Sequence, residues 1–192
     1  MKHLKIIGIA GTNGSGKDTV GEILASDHGW LFVSVSEDLL APELERQNLP
    51  VDRQHLAALS TQWRREFGMG ATVDKAFEKF EAERGLHKLG GLAIASLRHP
   101  GEVDRLHQLG GVVIWVDAKP EVRYERIYKR GQGAKDQKTL EEFLAEQEAE
   151  MQHSGDKATL NIAGVKAKAD IFIDNNGSLE DFKRSVETAL KI

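Results

Sequence analysis

The chain has 192 residues, a length suited to one α/β domain with a sizeable core. Its formal net charge of −4 and its lack of a basic stripe disfavour a nucleic-acid partner. The absence of cysteine excludes a disulfide framework, a cysteine-based zinc site and thiol chemistry. An apolar strand begins close to the first residue, and no apolar run approaches ~20 residues. We therefore expect a cytoplasmic protein without a signal peptide or a membrane partner, folded as one domain over residues 1–192.

The most specific motif lies in residues 5–20, KIIGIAGTNGSGKDTV. An apolar run from Ile6 to Ala10 predicts a buried parallel strand, and a helical pattern follows a glycine-rich loop. The loop fits G-x-x-x-x-G-K, a P-loop, whose backbone N–H groups form a nest for phosphate oxygens in front of a helix N-terminus. We expect it to bind a nucleoside triphosphate, with Lys17 holding the outer phosphates. Its members are Gly11, Thr12, Asn13, Gly14, Ser15, Gly16, Lys17, Asp18 and Thr19.

Asp18 takes the position after the P-loop lysine, where Ser or Thr usually supplies a hydroxyl to Mg²⁺. A carboxylate is a charged oxygen ligand, so Asp18 is a candidate metal ligand, directly or through water. It is also suited to stabilise the start of the helix as an acidic first-turn residue. The sequence leaves both roles open.

Short apolar strands alternate with helices along the rest of the chain, which predicts a parallel sheet covered by helices. Strands are expected over residues 31–35, 92–96, 112–116 and 171–173. Helices are expected over 17–26, from a cap at Ser36 to 46, from a cap at Asp52 to 67, over 72–88 and 121–130, from a Thr139–Glu142 capping box to 151, and after a cap at Ser178. One face of the 52–67 helix carries Leu56, Leu59, Trp63 and Phe67, which we expect to be buried, as we do Trp115.

Ligands of such a sheet bind where the strands end, at the carboxyl edge. Besides the P-loop, the residues expected to converge there are Ser36, Asp38, Arg98, Asp117 and residues 175–177, which include Asn175 and Gly177.

Other polar residues are expected to be solvated. His99 and His107 flank the helix after Arg98, and the seven histidines show no metal-ligand spacing. The pattern of charges predicts one solvated helix face, which carries Glu146, Glu148 and Glu150.

The chain resembles the nucleoside monophosphate kinase group of P-loop kinases over nearly its whole length. GSGKDT resembles the loop of phage-type deoxynucleoside monophosphate kinases and of animal phosphomevalonate kinases, and residues 94–104, IASLRHPGEVD, are similar to a segment of archaeal adenylate-kinase-related proteins. Residues 125–130, ERIYKR, resemble the lid helix of adenylate kinases, and residues 169–178, ADIFIDNNGS, the closing strand and adenine loop of dephospho-CoA kinases. The resemblance implies a P-loop NTPase fold, a three-layer α/β/α arrangement around a five-stranded parallel sheet. It also implies an acceptor-binding segment at about residues 36–70 and a lid at about 126–140.

By the same resemblance, Arg126 would stack on the adenine and Arg130 would reach the phosphates. The chain departs from the family at two places. The end of the third strand, residues 94–97, lacks the acidic residue that helps to hold Mg²⁺ in many members, and Asp18 is the candidate to replace it. No arginine occurs between Arg130 and Arg184 to clamp the transferring phosphoryl group. The lysines that could substitute are Lys135, Lys138 and Lys157.

Arginines suit phosphate binding because they stay charged and hold two oxygens at once. Arg98 follows the third strand, and Arg53 and Arg64 share one edge of an amphipathic helix. Arg126 and Arg130 lie just before the polar loop 131–138. We expect the first three to bind an acceptor phosphate and the last two to close over a nucleotide. For Arg53 and Arg64, the alternative is that their side chains merely cover apolar surface. For Arg126 and Arg130, it is that they lie on a solvated helix face and pair with nearby glutamates.

These patterns predict an ATP- and Mg²⁺-dependent kinase whose acceptor is a small phosphorylated molecule, with a nucleoside or deoxynucleoside monophosphate as the first choice. Lys17, Arg98 and Arg130 are the expected catalytic residues. The expected acceptor-binding residues are Ser36, Asp38, Arg53, Arg64 and Arg98. One alternative is a dephospho-CoA kinase, whose ribose hydroxyl would use Glu37 or Asp38 as a base. The other is a nucleotide-binding switch or accessory ATPase without acceptor chemistry. The oligomeric state is left open.

Overall fold

The computed structural model describes residues 5–130, 139–151 and 155–192. The strands of this part of the chain are β1 (Lys5–Gly11), β2 (Leu31–Ser34), β3 (Gly91–Ala95), β4 (Val112–Asp117) and β5 (Ile171–Asp174). They form one parallel sheet in the order β2-β3-β1-β4-β5. β1 lies at the centre, so the P-loop that follows it opens at the middle of the carboxyl edge.

The helices that connect and cover the strands are α1 (Lys17–His28), α2 (Ala41–Arg46), α3 (Arg53–Phe67), α4 (Ala71–Arg84), α5 (Pro100–Gln108), α6 (Pro120–Arg130), α7 (Leu140–Met151), α8 (Ile162–Lys168) and α9 (Leu179–Leu190). At least one of them lies between every two successive strands in the chain, as parallel pairing requires. None of the helices in the described ranges is long and apolar enough to cross a membrane.

Two apolar clusters lie on opposite faces of the sheet. Ile6 and Ala10 of β1 belong to the cluster that packs against α3, α4 and α5, whereas Ile7 and Ile9 belong to the cluster that packs against α1 and α9. Because both faces of the central strands are buried, these strands read as continuous apolar runs in the sequence. This arrangement confirms the predicted three-layer α/β/α fold with a five-stranded parallel sheet.

Gly8 lets the chain after β3 and helix α5 approach the centre of the sheet. A Cβ at this position would lie 2.5 Å from the side chain of Leu97 and 2.7 Å from that of Leu106. The segment that carries Arg98 is therefore packed closely against β1.

Three predicted helix caps are confirmed. The carboxylate of Asp52 accepts the backbone N–H of His55 at 2.9 Å. Thr139 and Glu142 form the reciprocal capping box, and the hydroxyl of Ser178 accepts the backbone N–H of Asp181.

Other expectations were wrong. Ser34, not Ser36, caps the segment after β2, which begins with a π-helical turn, Val35–Leu40. Phe67 ends α3 with 61% of its surface exposed, because the buried face of the helix stops one turn earlier, at Trp63. Helix α8 was not expected, since its seven residues give too short a pattern for a periodicity argument.

Candidate active site

The P-loop runs from the end of β1 to the first residue of α1. Gly14 and Gly16 adopt φ angles of 77° and 92°, the left-handed region that favours glycine. A Cβ on Gly14 would lie 2.7 Å from the carbonyl oxygen of Arg123, and one on Gly16 would lie 2.3 Å from Nδ2 of Asn175. Both the backbone conformation and the close neighbours therefore require glycine at these two positions.

Two buried side chains support the P-loop from outside. Nδ2 of Asn175 donates to the carbonyl oxygen of Ser15 at 2.8 Å, and Nη1 of Arg123 donates to that of Asn13 at 3.4 Å. Arg123 also donates from Nε to the carbonyl oxygen of Ala118 at 2.8 Å. Its side chain is 2% exposed, and this burial lowers the pKa of Arg123. Arg123 therefore fixes the loop from a buried position.

Asp117 lies at the end of β4, at the edge of the predicted cleft. Its Oδ1 accepts the hydroxyl of Thr12 at 3.4 Å and the backbone N–H of Ala118 at 2.9 Å. Its Oδ2 accepts from Nε1 of Trp115 at 3.3 Å and from Nζ of Lys166 at 3.4 Å. Four donors share this carboxylate, so we assign it to the support of the cleft wall.

A cavity of about 250 Å³, the P-loop cavity, opens at the loop. The Lys17 side chain is only 11% exposed, and its Nζ lies 3.3 Å from Oδ2 of Asp18, whose side chain is 48% exposed. Lys17 therefore presents its ammonium from a buried stem, while Asp18 keeps its carboxylate accessible at the rim. The lining residues are Asn13, Gly14, Gly16, Lys17, Asp18, Thr19, Glu22, Arg126 and Ile127.

Two buried polar atoms beside the P-loop cavity have no hydrogen-bond partner in the described part of the chain. They are Nη1 of Arg126 and the hydroxyl oxygen of Ser15. The other terminal nitrogen of Arg126, Nη2, donates to Oδ1 of Asn175 at 3.3 Å, which fixes the guanidinium near Gly16. An unpaired buried donor costs free energy, so a ligand that offers oxygen acceptors would be stabilised here.

The predictions for the lid lie largely outside the described residues. Arg130 ends α6, but its side chain is not described, and residues 131–138, with Lys135 and Lys138, fall outside the described ranges. Gly177 directly precedes the cap of α9 and is not among the residues that line the cavity next to Arg126 and Asn175. Roles for Arg130 and Gly177 stay predictions.

A smaller cavity of about 100 Å³, the arginine cavity, lies where β2 and β3 end. Since β3 pairs directly with β1, this cavity is next to the P-loop along the sheet edge. Ser96 on its wall has a φ of 71°, a conformation that non-glycine residues rarely adopt outside functional sites and turns. The lining residues are Val35, Ser36, Leu40, Arg53, Leu56, Ala57, Ser60, Arg64, Ser96, Arg98, Glu102, Glu150 and Leu160.

Two of the predicted acceptor-binding arginines meet one carboxylate in the arginine cavity. Nη1 of Arg53, the first residue of α3, lies 3.4 Å from Oε1 of Glu150. Nη1 of Arg98, just after β3, lies 4.0 Å from Oε2 of the same residue. Glu150 on α7 is therefore part of the site, although its sequence context predicted a solvated helix face.

Arg64 lines the same cavity but is committed to structural hydrogen bonds. Its side chain is 1% exposed. It donates from Nε to the carbonyl oxygen of Ala158 at 2.6 Å, from Nη1 to Glu102 at 3.2 Å, and from Nη2 to the hydroxyls of Ser60 and Thr61. Burial lowers the pKa of Arg64. We therefore replace the prediction that Arg64 binds the acceptor phosphate with a role in holding the cavity wall.

Glu102 is a buried residue of the cavity wall whose contacts the sequence reasoning missed. It is 2% exposed, and its Oε2 accepts the backbone N–H groups of Arg98 at 2.7 Å and of His99 at 3.0 Å. Its Oε1 accepts from Arg64 and from the hydroxyl of Thr72 at 2.8 Å. Glu102 thereby sets the backbone from which Arg98 projects. The available signal was its position in the first turn of a helix that begins just after Arg98.

His99 is buried, which corrects the expectation of a surface residue. Nδ1 of His99 accepts the backbone N–H of Gly101 at 3.0 Å and caps α5, while Nε2 donates to the carbonyl oxygen of Lys157 at 2.7 Å. The imidazole therefore joins α5 to the segment before α8.

Asp38 and Ser36, both predicted to bind the acceptor, differ in their surroundings. Oδ2 of Asp38 accepts the backbone N–H of Ser34 at 2.7 Å, which closes the π-helical turn. Asp38 is therefore better explained as a turn-stabilising residue than as a ligand of an acceptor. Ser36 lines the arginine cavity, and its role in acceptor binding stays a prediction.

The central P-loop, the flanking cavities and the parallel sheet define a P-loop kinase-like protein. A family model described as AAA domain matches residues 7–151. A UPF0200 protein from Pyrococcus abyssi is 32% identical, in an alignment that covers 97% of this chain and 95% of that protein. A UPF0200 protein from Sulfurisphaera tokodaii is 29% identical over 100% of this chain and 98% of its own length. The chain therefore belongs to the AAA domain family and to the UPF0200 family.

Solved structures show the same fold at lower sequence identity. TT1252 from Thermus thermophilus matches with a TM-score of 0.60 and 24% identity, over 99% of this chain and 98% of that chain. A shikimate kinase from Bacteroides thetaiotaomicron matches with a TM-score of 0.56 and 14% identity, over 98% of this chain and 99% of that chain. These likenesses extend over whole chains and support the kinase-like fold alone.

Proposed function

We propose that this protein is a kinase that transfers the γ-phosphoryl group of ATP to a small phosphorylated acceptor, with a nucleoside or deoxynucleoside monophosphate as the first choice. The observation that carries the proposal is the convergence of Arg53 and Arg98, from two separate elements, on one cavity next to the P-loop. Two cationic sites side by side are what a transfer between two phosphates requires.

The nucleotide side of the proposal rests on Lys17 and Arg126. The P-loop amides and the Lys17 ammonium would bind the β- and γ-phosphates. Arg126, whose Nη1 is buried without a partner among the described residues, would complete its hydrogen bonds with the nucleotide. Arg130 ends the same helix and is proposed to reach the transferring phosphoryl group.

Asp18 is the proposed protein ligand of Mg²⁺. The residues that the structure describes hold no cluster of three or more metal-binding side chains, so Asp18 would hold the ion together with phosphate oxygens and water. Mg²⁺ is commonly bound in this way in kinases, and Asp18 is half exposed at the rim of the P-loop cavity, so it fits. When bound, Mg²⁺ neutralises negative charge on the phosphate oxygens.

On the acceptor side, Arg53 and Arg98 would hold the acceptor phosphate for in-line attack. An oxygen of that phosphate forms the new bond to the γ-phosphorus, and the bond to the β-phosphate oxygen breaks to release ADP. The attacking oxygen is already anionic, so the reaction needs no general base. In agreement with this, Asp38, one of the two carboxylates considered as a base for a hydroxyl acceptor, already accepts the backbone N–H of Ser34.

A panel of acceptors tests the proposal. ADP formation from ATP is measured with no acceptor, with each nucleoside and deoxynucleoside monophosphate, and with dephospho-CoA. We expect slow ADP formation alone and a large stimulation by one monophosphate, lost in Arg98→Met. If only dephospho-CoA stimulates ADP formation, the acceptor is dephospho-CoA and not a nucleoside monophosphate. Indifference to every acceptor, together with an ATP-dependent change in shape, would point to a nucleotide-binding switch.

A further inference from the structure

Glu150 places an anion where the proposed function places the acceptor phosphate. Its two carboxylate oxygens face different arginines, Oε1 towards Arg53 at 3.4 Å and Oε2 towards Arg98 at 4.0 Å. A phosphate held by the same two guanidinium groups would use its oxygens in the same way. An acceptor phosphate bound there would therefore compete with Glu150 for one pair of cations.

The two ion pairs are weak enough to exchange. The side chains of Glu150 and Arg98 are 31% and 33% exposed, and that of Arg53 is 54% exposed. Ion pairs of this exposure contribute little to stability and open readily. A second carboxylate, Glu146 on the same helix, lies 3.8 Å from Arg53, so this arginine keeps a partner when Glu150 leaves.

We propose that Glu150 is a specificity-determining residue that occupies the acceptor-phosphate subsite and must be displaced by the acceptor. This inference rests on the proposed function, because it assumes that Arg53 and Arg98 bind the acceptor. A phosphate monoester dianion carries more charge than the carboxylate and gains from the exchange. A carboxylate acceptor would replace the Glu150 carboxylate with a group of the same charge and gain nothing. A neutral hydroxyl acceptor could not replace the lost ion pairs. The site thereby selects phosphorylated acceptors over the other two classes.

The structure offers space for the displaced side chain. Glu150 lines the arginine cavity and also a neighbouring groove of about 420 Å³ between α3 and α7, and Ala57 and Leu160 border both. Arg65 lines this groove and is paired with Asp156, so the displaced carboxylate would enter a groove that also carries positive charge. Displacement of one side chain would join the two spaces and let the body of the acceptor extend into the groove.

Binding of inorganic phosphate to Glu150→Gln tests the inference, because glutamine keeps the shape and removes the charge. We expect calorimetry to give a phosphate dissociation constant about three- to tenfold lower than that of the wild type, the range expected for removal of partly exposed ion pairs. Glu148→Gln is the matched control, since Glu148 is exposed on the same helix, and its phosphate affinity should equal that of the wild type. Acetate should compete with phosphate poorly in the wild type and better in Glu150→Gln.

The outcomes separate this inference from the proposed function. If wild type and Glu150→Gln bind phosphate equally, and Arg98→Met does not bind it, the cavity binds phosphate but Glu150 does not compete, and the inference is wrong. If neither the wild type nor Glu150→Gln binds phosphate, the acceptor site itself is wrong. A fall in kcat in Glu150→Gln at unchanged phosphate affinity would also overturn the inference, because it would indicate that Glu150 acts as a base.

Discussion

Arg64 and Glu102 form a buried ion pair in the wall of the arginine cavity, with Nη1 and Oε1 3.2 Å apart and side chains 1% and 2% exposed. Glu102 also accepts the backbone N–H of Arg98, so the pair connects α3 to the residue that is proposed to hold the acceptor. Removal of one partner would leave the other charge buried without compensation.

Arg64→Met should therefore lower the free energy of unfolding by about 3–5 kcal/mol, as measured by urea denaturation. Arg53→Met is the matched control on the same helix, because the Arg53 side chain is 54% exposed and its ion pairs are weak. It should leave stability nearly unchanged and raise the KM of the acceptor. Equal losses in the free energy of unfolding would show that Arg64 stabilises the fold no more than Arg53 does.

Arg126→Met should weaken ATP binding about tenfold or more, because it removes charge-assisted hydrogen bonds from a guanidinium whose Nη1 is buried. The measurement is the dissociation constant of a non-hydrolysable ATP analogue. Arg84→Met, on the surface of α4 and paired with Glu81, is the control and should bind the analogue normally. An unchanged affinity in Arg126→Met would remove this residue from the nucleotide site.

Asp18→Asn should raise the Mg²⁺ concentration that gives half-maximal activity and lower kcat, since it removes a charged oxygen ligand. If Asp18 only stabilises the start of α1, the Mg²⁺ titration will match that of the wild type and only thermal stability will fall. A Mg²⁺ titration of both proteins, with unfolding curves recorded in parallel, distinguishes the two roles.

Asp170 should make the stability of the protein depend on pH in the acid range. Burial raises the pKa of Asp170, but hydrogen bonds from the backbone N–H of Val113 at 2.7 Å and from His107 outweigh it and hold the pKa below its ordinary value. The folded pKa is thus below the unfolded one, so the stabilisation is present above about pH 4 and is lost as the pH falls through the folded pKa. Asp170→Asn should be less stable than the wild type at pH 7, and the difference should shrink near pH 3. A difference that is independent of pH would contradict this.

The fold could be predicted because its determinants are local in the sequence. The strands are apolar runs buried on both faces, and the P-loop joins the first of them to a helix with a fixed spacing of glycines. Caps such as Asp52 and Ser178 depend on hydrogen bonds within one turn, which a sequence displays directly.

The site could be predicted only in part, because its remaining determinants depend on contacts between distant elements. Arg53 and Arg64 look alike in the sequence, yet α3 directs Arg53 to the arginine cavity and buries Arg64 against Glu102 and the carbonyl oxygen of Ala158. Glu150 looks like one of several solvated glutamates until the packing of α7 brings it to Arg98. No periodicity within a single helix encodes these pairings.

The most direct test of the account is to follow the γ-phosphoryl group itself. Phosphorus NMR of the protein with ATP, Mg²⁺ and the stimulating monophosphate should show a new diphosphate of the acceptor, formed in equal amount to ADP. Lys17→Met, which removes the P-loop cation, should form neither product. Release of inorganic phosphate in place of a phosphorylated acceptor, under every acceptor tested, would contradict the account and identify the protein as an ATPase.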